Sequence, residues 1–185
     1  MSILLGDRQR TYQEMQEILF VDLDGTIRRS KSGEKFIQFP QDQEAILGAK
    51  EAITKYSSQG YLIVGITNQG GVAAKHKSLD DCIKEQQETL KLFPEIHSIL
   101  FCPDFEGTQC YRCYRDKYFD CTTHYPRLLG HYRKPGCGMI DYVLTQGEIH
   151  PSDCLMVGDS SEDEACAEAA GVTFIEAEKW RSTRM

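Results

Sequence analysis

An α/β fold built on a parallel sheet is predicted, and two features of the chain predict it. Short apolar runs at 18–21, 61–66, 96–101, 154–157 and 172–175 lack polar alternation, as strands covered on both faces require. Helical patterns separate those runs, which implies parallel strands joined by right-handed crossovers.

Each element has a local reason. Ile18, Leu19, Phe20 and Val21 form the first strand, and 61–66 the second, rich in β-branched residues. Between them Ala45, Ala49, Ala52, Ile53 and Tyr56 share one helical face. Ser78 and Asp81 have capping-box spacing for a helix running toward Leu92. A third helix is expected over 138–145. A fourth is expected to be capped by Ser161 and Glu164 and to end near Gly171. Two stretches break the rhythm: a polar segment, 28–40, expected as a small hairpin flap, and the cysteine-rich segment 102–134, poor in regular pattern.

The chain has 185 residues, 41% hydrophobic and 26% charged, which fits one domain over 1–185. A formal net charge of −7 argues against a broad electrostatic grip on nucleic acid or anionic membrane. The first twenty residues mix Asp7, Arg8, Arg10, Glu14 and Glu17 with apolar residues, so no signal-peptide core is read there. No apolar run approaches the roughly 20 residues of a membrane helix. A cytoplasmic location is expected, where cysteines serve metal sites better than disulfides.

Four clusters carry chemistry, each at a strand end or helix start. Asp22-Leu23-Asp24-Gly25-Thr26 follows the first strand, with Asp22 and Asp24 pointing the same way. Two carboxylates this close call for a cation, and Mg²⁺ suits an all-oxygen site. A calcium loop also begins this way, but position 33 is Gly and no matching ligand series follows. Thr67-Asn68-Gln69-Gly70-Gly71 offers a hydroxyl, an amide and open backbone N–H groups for phosphate oxygens. Lys134 offers a cation to a phosphoryl group. Asp159, after the fourth strand, and Asp163, one helical turn on, supply further oxygens. Taken singly, each cluster also reads as an ordinary turn, basic pair or helix cap.

Together these residues resemble the four ordered motifs of the haloacid dehalogenase superfamily, over 18–175. The resemblance implies a Rossmann-like three-layer sandwich with the first strand central, flanked by the second and fourth. It implies that Asp22 is the nucleophile and that Asp24 is the acid and then the base. It gives Thr67 and Asn68 the phosphoryl oxygens, with Lys134 neutralising them. It further implies that Asp22, Asp159 and the Asp24 carbonyl hold Mg²⁺ and that Asp163 supports Lys134 or a metal-bound water. Thr67-Asn68-Gln69 and Arg133-Lys134-Pro135 are similar to the capless subfamily, which includes heptose-bisphosphate, histidinol-phosphate and polynucleotide 3′-phosphatases. Roughly 40 residues between Asp24 and Thr67 leave no room for a large cap.

Cys102, Cys110, Cys113 and Cys121 are expected to form a structural zinc site in the insert 102–133, with His124 or His131 as a substitute ligand. The resembling phosphatases carry a zinc loop there, although Asp104 stands where they have His. Cys82, Cys137, Cys154 and Cys166 fit core packing. The insert also interleaves Arg112, Arg115, Lys117, Arg127 and Arg133 with Tyr111, Tyr114, Tyr118, Phe119, Tyr125 and Tyr132. That mixture fits either a nucleic acid strand or the far end of a small phosphate ester. The acidic chain favours the small ester, a sugar phosphate such as a heptose bisphosphate first, on a monomeric enzyme. A polynucleotide 3′-phosphatase, a histidinol-phosphate phosphatase and an inactive zinc-stapled interaction module are the alternatives.

Overall fold

The computed structural model describes residues 17–182; the reading of the extreme N-terminus lies outside them. In chain order the elements are β1 (Ile18–Val21), β2 (Arg28–Arg29), β3 (Glu44–Ala45), α1 (Ala49–Ser58), β4 (Leu62–Asn68), α2 (Leu79–Leu92), β5 (Ile96–Cys102), β6 (Tyr111–Cys113), β7 (Tyr118–Asp120), α3 (Gly138–Gly147), β8 (Cys154–Gly158), α4 (Ser161–Ala170), β9 (Thr173–Glu176) and α5 (Ala177–Ser182). The seven-stranded sheet runs β7-β6-β5-β4-β1-β8-β9. Its five long-range neighbours, β5 to β9 through β1, are parallel. β1 is central, between β4 and β8, as expected.

Helices cover both faces. Met139, Ile140 and Val143 of α3 and Cys166, Ala167 and Ala170 of α4 pack in one core cluster with Phe20, Val64 and Leu100. Ala52 and Ile53 of α1, Ile83 and Leu90 of α2, and Trp180 of α5 pack in the other with Leu19, Val21 and Ile63. Alternation along β1 divides its four fully buried residues between the two cores, which is why the run reads as uniformly apolar.

The structure revises several local expectations. Ala45 belongs to β3, which pairs antiparallel with β2 and closes a flap longer than 28–40. The cap of α4 is Ser160, not Ser161: Ser160 Oγ accepts from the Asp163 N–H, and the Asp163 side chain returns to the Ser160 N–H. The predicted Ser78 cap of α2 is present, and Gly171 (φ +70°) ends α4. The insert is not patternless, for β6 and β7 extend the sheet antiparallel beyond β5. Among the described residues, no helix is long and apolar enough to cross a membrane.

Candidate active site

The C-terminal ends of β1, β4 and β8 bring distant segments together. Parallel pairing aligns Val21 with Gly65 and Val157, so each strand delivers its following turn to the same edge. Gly25 makes the turn after Asp22–Asp24 with φ +88°, and a Cβ there would lie 2.0 Å from Asp159 Oδ2. Only glycine lets the first motif and the β8 loop approach this closely.

Asp22 is buried, and both its oxygens are engaged. Lys134 Nζ donates to Oδ1 at 2.6 Å and Thr26 Oγ1 to Oδ2 at 2.8 Å. Lys134 Nζ also reaches Asp163 Oδ1 at 2.5 Å, with only 4% of its side chain exposed. Asp163 Oδ2 accepts from the backbone N–H of Asp159 and Ser160 and from Ser160 Oγ. Asp163 therefore holds Lys134 with one oxygen and the β8 loop with the other.

The charges follow from this packing. Burial pushes the Asp22 carboxyl up to about 7, against the pull of Lys134, with Asp163 and Asp24 adding repulsion. Burial would lower Lys134, but Asp22 and Asp163 overcome it and keep the ammonium protonated. Desolvation and the nearby Asp163 raise Asp159. Partial desolvation would raise Asp24 as well, yet the Arg28 guanidinium, with Lys77 and Gln69, holds it below the carboxylate range.

One oxygen from each of Asp22, Asp159 and Asp163 lies within 4.8 Å of the others. An all-carboxylate donor set facing a single lysine fits Mg²⁺, which prefers hard oxygen ligands and keeps several waters. Asp24 is outside that group. Its side chain is 44% exposed and pairs with Arg28, Nε lying 2.9 Å from Oδ1.

Thr67 is buried at the end of β4, its Oγ1 accepting from Gln69 Nε2 at 3.0 Å. Asn68, at the end of β4, engages the Lys134 backbone. Its Nδ2 donates to the Lys134 carbonyl and its Oδ1 accepts from the Lys134 N–H, both at 2.9 Å. This two-point clamp fixes the Lys134 backbone across 66 residues of sequence.

The four insert cysteines are buried but do not converge as a zinc site. Among the described residues they form no group of three ligand atoms within 4.8 Å. Cys102, Cys110 and Cys121 pack in the α3–α4 core, whereas Cys113 packs in the opposite core. Residues 110 and 113 are three apart on extended chain, and the alternation of β6 sends them to opposite faces. His124 Nδ1 pairs with the Tyr142 hydroxyl at 2.7 Å. Asp104 secures the loop instead: its carboxylate accepts from Cys102 Sγ at 3.0 Å, the Thr108 N–H at 2.9 Å and the Gln109 N–H at 3.3 Å.

The contacts that went unforeseen are those of Arg28, Glu85, Lys77 and Gln69 around Asp24. One signal pointed to them: Glu85 and Thr89 fall on the same face of α2 as Cys82 and Leu90, and a charge inside an apolar stripe calls for a buried partner.

A family model described as polynucleotide kinase 3 phosphatase matches residues 17–179. The D-glycero-beta-D-manno-heptose-1,7-bisphosphate 7-phosphatase of Haemophilus ducreyi is 31% identical over 163 residues, covering 85% of this chain and 80% of that protein. The D-glycero-D-manno-heptose-1,7-bisphosphate 7-phosphatase of Chlorobaculum tepidum is 30% identical over 172 residues, covering 88% and 78%. A solved D,D-heptose 1,7-bisphosphate phosphatase from B. bronchiseptica, complexed with magnesium and phosphate, superposes with TM-score 0.63 at 20% identity, covering 85% of this chain and 78% of that one. A HAD-like phosphatase structure from Mesorhizobium loti gives TM-score 0.67 at 22% identity, covering 90% and 74%. These structural likenesses reflect a shared fold. The ordered motifs at the strand ends, the match across nearly the whole described chain and the kinship to heptose-bisphosphate phosphatases lead to one assignment: the chain belongs to the polynucleotide kinase 3 phosphatase family of the haloacid dehalogenase superfamily.

Proposed function

We propose that this phosphatase hydrolyses a small sugar phosphate, a heptose bisphosphate first among candidates, through a phosphorylated Asp22. The observation that carries the reading is Lys134, buried between Asp22 and Asp163 beside the Asp22–Asp159–Asp163 oxygen cluster. A buried carboxylate flanked by one fixed ammonium is an activated nucleophile with its charge stabiliser in place.

In the first step an Asp22 oxygen bonds to phosphorus while the bond to the ester oxygen breaks, and Asp24, which must first take up a proton because Arg28 holds it ionised in the free enzyme, gives that proton to the departing oxygen. In the second, Asp24 takes a proton from water as the water attacks the acyl phosphate, returning Asp22 and free phosphate. Thr67 and the N–H groups after β4 hold the phosphoryl oxygens, Lys134 offsets their charge, and Asn68 and Asp163 keep Lys134 in place. Mg²⁺, held by Asp22, Asp159 and the Asp24 carbonyl, would supply Lewis-acid neutralisation of the same oxygens.

The sugar-phosphate preference rests on the relatives named above and on the acidic chain. A 3′-phosphorylated oligonucleotide is the second reading. The family model's name favours it, as does the exposed Phe105 ring, which lies against Gly70 with Arg133 5.3 Å from its centroid. A phosphate-release screen with Mg²⁺ over heptose bisphosphate, histidinol phosphate and 3′-phosphorylated oligonucleotides decides. Sugar phosphate is expected to lead in kcat/KM. An oligonucleotide preferred more than tenfold, about 1.4 kcal/mol, reverses the ranking. Turnover retained by Asp22→Asn overturns the nucleophile.

A further inference from the structure

Four polar side chains form a closed ring with the carboxylate of Asp24. Arg28 Nε donates to Asp24 Oδ1 at 2.9 Å and Arg28 Nη2 to Oδ2 at 3.2 Å. Arg28 Nη2 also reaches Glu85 Oε1 at 2.9 Å. Glu85 Oε2 pairs with Lys77 Nζ at 2.5 Å, and Lys77 Nζ donates to Gln69 Oε1 at 3.3 Å. Gln69 Nε2 closes the circuit on Asp24 Oδ2 at 2.9 Å. The ring joins the turn after β1, the flap strand β2, the loop after β4 and helix α2. Its two acids and two bases cancel in formal charge.

Such a ring is an expensive way to fasten a flap. Arg28 is fully buried and Glu85 nearly so. Apolar residues of similar volume hold buried segments together as well as an ion pair or better. The flap already has neutral ties to α2, since Gln43 Nε2 donates to the Glu85 carbonyl at 3.0 Å and Thr89 Oγ1 to Gln43 Oε1 at 2.7 Å. What the guanidinium adds is a planar fork that fixes a carboxylate in position and plane, and a buried Glu85 on its far side keeps that fork from turning.

We propose that Arg28 and Glu85 are positioning residues that orient the Asp24 carboxylate for proton transfer, Glu85 acting through Arg28 without touching Asp24. This rests on the reading of Asp24 as the acid and base.

Leaving-group dependence tests it. Nitrophenolate departs from 4-nitrophenyl phosphate without a proton, whereas the alkoxide of an alkyl phosphate needs one, so a misaligned acid harms the alkyl ester selectively. Glu85→Gln keeps the volume and removes the charge. Its kcat for the alkyl ester, relative to its kcat for the nitrophenyl ester, should fall roughly tenfold against wild type, with both KM values little changed. Glu85→Asp, which restores the charge, should recover part of that ratio. Parallel loss on both esters is the mark of a plain structural staple and overturns the proposal. If Glu85→Gln does not fold, Lys77→Met opens the ring from its other side: a selective alkyl loss there supports the proposal, and a parallel loss overturns it. A wild-type protein that hydrolyses neither ester removes the phosphatase reading and this role together; an active wild type with parallel losses in the variants removes this role alone.

Discussion

Replacing Lys134 with methionine keeps an unbranched side chain one heavy atom shorter and removes the cation between two buried carboxylates. The lysine lies 2.6 Å from Asp22 Oδ1, 2.5 Å from Asp163 Oδ1 and 3.4 Å from the Ile66 carbonyl. At an effective dielectric of about 20, each carboxylate contact is worth roughly 6 kcal/mol of gross attraction. Desolvation of the three charges offsets most of that. Deleting one partner of a buried pair costs roughly 3–5 kcal/mol, because the remaining charge stays buried without a counter-ion. For a domain of this size each kcal/mol lowers Tm by about 2–4 °C, so Lys134→Met should melt roughly 6–20 °C below wild type. The loss should be larger at pH 8 than at pH 5. Asp22 already sits at about 7, and protonation in acid relieves the strain that the missing lysine leaves behind. Phosphate release should fall at least roughly a hundredfold, as expected when a fixed charge stabiliser is removed. Circular-dichroism melts at the two pH values in chelator, beside phosphate-release assays with Mg²⁺, measure both effects. A variant that melts with wild type at pH 8 and turns over normally would refute the placement of Lys134 as the charge centre of the site.

Two further outcomes follow from the same geometry. The Asp22 carboxyl is raised from 3.8 to about 7 in the folded protein, so the native state binds more protons than the unfolded state across that interval. Metal-free protein should therefore lose stability as pH climbs from about 4 to about 7, and Mg²⁺ should flatten the decline; a melt series rising with pH through that window in chelator would contradict it. Gly25→Ala places a Cβ 2.0 Å from Asp159 Oδ2 on a backbone at φ +88°. It should cost about 1–3 kcal/mol and raise the Mg²⁺ concentration for half-maximal activity, as Asp159 is displaced; an unchanged Mg²⁺ titration would argue against Asp159 as a ligand.

Much of the architecture could be read from the chain because its cues are local. Four apolar residues ending in Asp22, a Ser–Asp pair capping α2 and Gly171 closing α4 depend on neighbours within a few positions. The insert was harder. Cys110-x-x-Cys113 has chelate spacing on a turn, but extended backbone through β6 points the two thiols to opposite faces, and the spacing cannot say which backbone it will adopt. Asp104, the departure from the resembling zinc loop, holds the hydrogen bonds that secure this one.

The sequence by itself determined the apolar strands of the parallel sheet and the strand ends where Asp22, Thr67 and Asp159 lie, because runs of apolar residues and the turns that follow them are properties of contiguous chain. Only the tertiary structure decided that Asn68 clamps the Lys134 backbone and that Arg28 meets Glu85, 57 residues away, behind Asp24. Those contacts are chosen by which polar groups, once buried by packing, must find a partner within hydrogen-bonding reach, and separation along the chain carries no record of that choice.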